Sequence, residues 1–226
     1  MSAKPICAAL LVLFSPALAW SPAPDLNLAQ RIVDGVYSRS EALPTFASQS
    51  LEVSDGAFSG SEVRLLSGDP GCLSNWLQNP TNYARFGSRP VSLTLAGQAY
   101  QIALAAQIAR NAFKNISAKE ALATSQARLP GGYLQVYVQM RGLAQITQRE
   151  AYNLGVQAQS GILRPYKSAY LEDWEQAEDR RFGGTMLYYF DLSKANLDSY
   201  KKLNLVLQTE VTACTYNIGA DLTKFY

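Results

Sequence analysis

The chain contains no histidine. That removes the commonest general base and the commonest metal ligand, and with them any Ser-His-Asp triad. Cysteine is scarce: Cys7, Cys72 and Cys214 are the three present. Without histidine they fall short of a four-ligand zinc site. Charge is thin, at 17% of residues, and nearly balanced at +2. A scattered, near-neutral charge argues against nucleic acid and acidic membranes as main partners. Beyond the N-terminus no apolar run reaches the ~18 residues of a membrane-spanning helix. No serine sits in a Gly-x-Ser-x-Gly setting, and Ser59-Gly60-Ser61 reads as a turn. Gly155 and Gly161 do not complete a phosphate-binding loop. Ser168 after Lys167 is a dipeptide and no motif. The sequence therefore points to no cofactor, no metal and no catalytic residue.

What is present begins with an export signal. Lys4 is a positive n-region, Ile6 to Phe14 an apolar run too short to span a bilayer, and Pro16 its break. Ala17-Leu18-Ala19 fits a small-x-small cleavage pattern, which predicts a signal peptide over 1–19 and a mature start at Trp20. The expected location is secreted or periplasmic. Lys4 is the only charge lost with the signal, so the mature net charge falls from +2 to +1. Cys7 leaves with it, and its surroundings lack the small residues of a lipidation site. The mature chain keeps Cys72 and Cys214. In an oxidising compartment such a pair predicts a disulfide, with two buried free thiols as the alternative. Chain-entropy arguments give a bridge across so long a loop up to about 5 kcal/mol.

Residues 20–50 read as a lead-in. Ser21-Pro22-Ala23-Pro24 is expected to be extended and mobile. Leu28, Ile32 and Val36 have the spacing of a short amphipathic helix. Residues 51–226 read as a single domain. Short apolar runs between turn pairs predict two or three strands over 49–68, and the Pro- and Gly-rich 69–90 predicts a long loop. Val91, Leu93 and Leu95 form a half-buried strand. Gly97 marks a turn, and Tyr100 with Ile102 suggests the return strand of a hairpin. Leu104, Ile108 and Ala112, with Phe113 beside them, form a helical stripe. Ser117 and Glu120 form a capping box for a second helix whose buried side is Leu122 and Leu129.

The clearest strand follows. Leu134, Val136, Val138 and Met140 face one way; Tyr133, Gln135, Tyr137, Gln139 and Arg141 face the other. Similar alternations run through Tyr152–Ala158, Met186–Leu192, Leu203–Val211 and Cys214–Leu222. The last two differ in parity, which requires a turn or bulge near Thr212-Ala213. The expected fold is a β-rich α+β domain: an antiparallel β-sandwich with a helical insertion at about 104–129. A mixed sheet with helices on one face is the second choice.

Function is less legible. The segment from Arg164 to Glu175 gathers aromatics and charges beside a proline. Arg164, Tyr166, Tyr170, Asp173 and Trp174 are the candidate ligand contacts, since flat rings give apolar area and nearby charges fix orientation. The simpler reading is a connection whose rings plug the edge of the core. Tyr133, Tyr137 and Tyr189 would form a platform if their strands are neighbours, or would serve only as cross-strand packing. Glu172, Asp173, Glu175, Glu178 and Asp179 are the densest carboxylates, but glycoside cleavage needs a set separation in space. Asn115-Ile116-Ser117 matches a glycosylation acceptor. The leading expectation is a non-catalytic exported module that binds a glycan or a peptide on a Tyr/Trp-rich surface. A carboxylate-dependent glycan hydrolase and a structural envelope protein are the alternatives.

Overall fold

The computed structural model describes residues 19–195, 201–211 and 214–226. The signal peptide up to Leu18 and the parity change at Thr212-Ala213 lie outside these residues. The first half of the chain runs α1 (Leu26–Val36), β1 (Phe46–Ser50), β2 (Val53–Ser54), β3 (Ala57–Phe58), β4 (Val63–Ser67), α2 (Gly71–Gln78), α3 (Tyr83–Phe86), β5 (Arg89–Ala96), α4 (Gln98–Asn111) and α5 (Ala118–Arg128). The second half is nearly all strand: β6 (Tyr133–Leu143), β7 (Asn153–Ala158), β8 (Gly161–Leu163), β9 (Lys167–Tyr170), β10 (Glu175–Gln176), β11 (Phe182–Asp191), β12 (Lys202–Gln208) and β13 (Thr215–Asp221).

Two antiparallel sheets result. One has the order β1-β5-β6-β11-β10, with β9 also paired to β11; the other has the order β4-β13-β12-β7-β8. Their inner faces share one core. Leu93, Leu95, Val136, Val138, Met186 and Phe190 meet Leu154, Val156, Leu205, Leu207 and Ile218, all buried. The period-2 alternation of these strands produces this, because every second side chain points into the gap. Gln49 ties the layers together, donating from Nε2 to the Gly219 carbonyl at 2.7 Å. The disulfide joins Cys72, at the start of α2, to Cys214, with Cα atoms 5.9 Å apart, a span that suits a bridge.

A third layer, α1, α4 and α5, packs against one end of the first sheet's outer face. Its seam is Ala29, Ile32, Val33, Ala99, Ile102, Ala105, Ala106, Ala118 and Ala121, and the many alanines allow close helix approach. The helical insertion thus joins β5 to β6, but α4 starts at Gln98. Tyr100 and Ile102 are helical and form no hairpin strand. The buried face of α4 is Gln98, Ala99, Gln101, Ile102, Ala105 and Ala106. Ile108 is 49% exposed and Phe113 fully exposed, so the expected stripe is not the packing face. In α5 the capping box forms: the Ser117 hydroxyl accepts from the Glu120 amide at 3.2 Å, and Glu120 accepts from the Ser117 amide at 2.8 Å.

The Ser117 hydroxyl, then its amide, holds the Glu120 carboxyl below the usual range. A depressed carboxyl stabilises the cap above its unfolded value of about 4.3 and loses that contribution as pH falls through the folded value. Protection factors of the first-turn amides of α5 should therefore drop in amide exchange below about pH 4. The same amides in a Glu120→Gln variant should lack this pH step.

Three further expectations are corrected. The lead-in is anchored: Trp20 is 3% exposed in the core, and the Pro22 carbonyl accepts from Gly132 N at 2.6 Å. Residues 69–90 are not a plain loop, since α2 buries Trp76 from within them. In β6 the inner face is as expected, and Gln139 and Arg141 are exposed, but Gln135 is 5% exposed. It lies under α4, where Gln101 Nε2 donates to Gln135 Oε1 at 2.8 Å. Val136→Ala should cost about 2 kcal/mol from lost contact plus a cavity. Gln135→Ala should cost about 1–2 kcal/mol by stranding Gln101, and Gln139→Ala under about 0.5 kcal/mol. Urea denaturation of the three variants checks this order.

Candidate functional site

The outer face of the first sheet is where side chains from many elements converge. Cross-strand pairing sets its rows. Phe46, Ala96, Gln135, Tyr189 and Lys167 form the first; Ser48, Thr94, Tyr137, Leu187 and Ala169 the second; Ser50, Ser92, Gln139 and Thr185 the third. The helices cover part of the first row, burying Ala96 and Gln135. Ser48, Thr94 and Tyr137 of the second row and Ser92, Gln139 and Thr185 of the third line a groove of about 350 Å³ under Tyr100 and Phe46, with Leu171 on the far wall.

The floor of the groove is hydroxyl and amide. Ser48 Oγ and Thr94 Oγ1 share a hydrogen bond of 2.8 Å, and Ser92 Oγ donates to Gln139 Oε1 at 3.2 Å. Phe46 and Tyr100 meet edge-to-face at 5.8 Å on the helix side. Among the described residues no ionic side chain lines the groove. Burial pushes the Tyr137 phenol well above the usual tyrosine range, and Tyr100 and Tyr189 add to the shift. It therefore stays a neutral donor and acceptor at any physiological pH.

Beside the groove stands a tyrosine cluster. Tyr166 packs edge-to-face with Tyr133 at 5.1 Å and with Tyr189 at 5.9 Å, and Lys167 Nζ lies 5.3 Å from the Tyr189 ring centre. The strands carrying Tyr133, Tyr137 and Tyr189 are neighbours; Tyr166 joins Tyr133 to Tyr189 by edge-to-face packing, while Tyr137 lines the groove.

The candidates from 164–175 do not form one patch, because β9 begins only at Lys167 and its alternation does not extend to Tyr166. Tyr166, just before it, joins the outer cluster. Tyr170 lies on the opposite face with Trp174, at 6.3 Å. Arg149 covers both rings, 4.1 Å from Tyr170 and 5.3 Å from Trp174. Trp174 also fills the space a side chain at Gly184 would need, with an indole atom 2.4 Å from where that Cβ would lie. It packs on the core edge, the simpler of the two readings of this segment. Asp173 is a clamp: its carboxylate accepts from Thr185 N at 2.9 Å and Thr185 Oγ1 at 2.6 Å.

Arg164 and Tyr170 border a cavity of about 790 Å³ at the edge between the sheets. Two of its tyrosine hydroxyls, those of Tyr188 and Tyr152, are spent internally. Tyr188 donates to the Tyr152 carbonyl at 3.3 Å, and Tyr152 donates to the Ser88 carbonyl at 3.1 Å. Glu150 is the one carboxylate lining it. A smaller cleft of about 360 Å³ continues from Gln139 and holds Asp173, Glu175 and Asp179 with Arg141 and Arg181. There Asp179 Oδ1 accepts from Arg181 N at 3.0 Å.

Among the described residues no group of three or more Cys, Asp or Glu could hold a metal ion, and no helix is long and apolar enough to cross a membrane. The chain matches no family model, no curated protein and no solved structure. The site therefore stands on its own geometry. Sequence reasoning missed its floor and helix wall. Phe46, Ser48, Ser92, Thr94 and Tyr100 are spread over β1, β5 and α4, and only strand order brings them together.

Proposed function

We propose that the protein is a binding module for a neutral glycan, taken up in the outer-face groove and its tyrosine cluster. The observation that carries this reading is the lining: hydroxyls, an amide and aromatic rings, with no ionic side chain. Sugars present both apolar C–H faces and many hydroxyls. Rings match the first, and Ser, Thr, Gln and Tyr match the second through hydrogen bonds either partner can donate. A charged ligand would leave its charge unpaired there. The export signal expected from residues 1–19 would place such a module where envelope or extracellular glycans are met.

A glycan array with the mature protein tests this. Retention of neutral oligosaccharides is expected, with Tyr100→Ala and Gln139→Ala each weakening it about tenfold, the equivalent of about 1.4 kcal/mol. No retention, or retention that ignores both variants but is lost in Tyr170→Ala, would reject the groove.

A second reading has its own observation. Asp173, Glu175 and Asp179 share the cleft that continues from the groove. Of these, Glu175 is the one free of the local clamps described above, so a carboxylate-dependent glycosidase would work through it. Turnover of a bound oligosaccharide that disappears in Glu175→Gln would establish hydrolysis over binding alone.

A further inference from the structure

We propose that the cavity beside the disulfide is a second binding site, specific for a carboxylate joined to a small apolar group. The cavity holds about 280 Å³ and opens between α2, α3 and the Cys72–Cys214 bridge. Its floor is Trp76, 2% exposed, with Phe58 and Tyr216 edge-on to the indole at 5.0 and 4.9 Å. Phe86 and Val211 add apolar wall.

The buried charged group lining this cavity is Arg89. It is 6% exposed, and Nη1 donates to the Asn79 carbonyl at 3.1 Å. Its guanidinium carbon lies 5.9 Å from the Trp76 ring centre. No carboxylate of the described residues forms an ion pair with it. Glu210 acts on it through space: Glu210 Oε1 accepts from Ser88 N and from Ser88 Oγ, both at 2.6 Å, and Oε2 is buried without a hydrogen-bond partner. Burial lowers the proton affinity of the guanidinium, and nearby tyrosines and Glu210 oppose that. An arginine remains charged under any such shift.

A buried cation with a fork of five donors and one carbonyl partner is an unfavourable arrangement unless something completes it. A carboxylate is the group whose two oxygens match that fork. Among the described residues Asp69 is the one acid lining the cavity, and its Oδ1 already accepts from Gly71 N at 2.6 Å. Arg85, exposed at the rim, adds a second positive charge at the entrance. The walls then suit an apolar substituent. A free organic acid and the C-terminal residue of a peptide share this chemistry.

The test is calorimetric titration of the oxidised protein with N-acetyl-phenylalanine, its amide, and a tetrapeptide ending in phenylalanine as free acid. Saturable binding of the acid and none of the amide is expected. Arg89→Lys keeps the charge but loses the fork and should weaken binding at least tenfold, with the fold checked by circular dichroism. Arg85→Gln, at an exposed position, should weaken it about threefold, by loss of long-range attraction. Tighter binding of the tetrapeptide than of the acetylated residue would identify a chain terminus as the ligand; equal or weaker binding would identify a free acid. Equal binding of acid and amide, no binding at about 10 mM, well above a millimolar Kd, or an Arg89→Lys variant indistinguishable from wild type would overturn the proposal.

Discussion

Replacing Cys72 and Cys214 together by alanine should lower the free energy of unfolding by up to about 5 kcal/mol. The bridge joins residues 142 positions apart, so its absence frees most of the unfolded chain. Whole domains are stable by only about 5–15 kcal/mol, so the variant should unfold at far lower urea or not fold at all at body temperature. The effect acts mainly through the unfolded state. The urea m-value should therefore rise in the variant, because the uncrosslinked chain exposes more surface. Reduction of the wild type should reproduce both changes. A stability loss under about 1 kcal/mol would count against a bridge that closes this loop.

Gly142→Ala should be nearly as damaging, at about 3–5 kcal/mol. Gly142 lies in β6 at φ +90, where a side chain strains the backbone by about 1–3 kcal/mol. An added Cβ would also stand 2.2 Å from Tyr83 Cγ and 2.6 Å from Tyr83 Cβ, too close for the ring to remain. Overpacking of this kind adds about 1–3 kcal/mol. Gly56 is the control. Its φ is +75, and a Cβ there meets nothing within 4 Å. Gly56→Ala should show the strain alone. If the two variants lose similar stability in urea denaturation, Tyr83 swings aside at little cost. A Tyr83→Ala/Gly142→Ala double variant should recover the ring's share of the steric part, though alanine keeps the Cβ at 2.6 Å, as a double-mutant cycle can measure.

The sandwich was legible wherever burial on one face and solvent on the other imposed a two-residue period, as in β6, β7, β11, β12 and β13. Errors arose where a third element intervened. Gln135 sits on the polar side of the β6 alternation, and nothing near it in sequence says that α4 will roof it. Tyr100 and Ile102 offered two points of a two-residue period, too few to outweigh a helix whose alanine seam shows only once α1 and α5 are in place. In 69–90 the prolines outweighed Leu73 and Trp76, although Pro70 stands at the start of α2 and interrupts nothing. The site followed the same rule. Tyr133, Tyr137 and Tyr189 could be proposed as a platform because each lies on a readable strand. The 164–175 cluster looked like one patch because sequence neighbours look close. Tyr166, just ahead of β9, instead packs on the outer face while Tyr170 within the strand faces the core edge, and Asp173 is held by Thr185 on the outer face.

The strand order of the second sheet sets a schedule for assembly. Strand β4, near residue 65, has β13 as its sheet partner, and β13 ends at Asp221. Ribosomes add about 5–20 residues each second, so the ~150 residues between them take on the order of ten seconds to appear. Pairings this distant also close slowly once both strands exist, over milliseconds to seconds. Through that interval Val63, Leu65 and Leu66 stand on a strand with a bare edge, open to any other unpaired strand it meets.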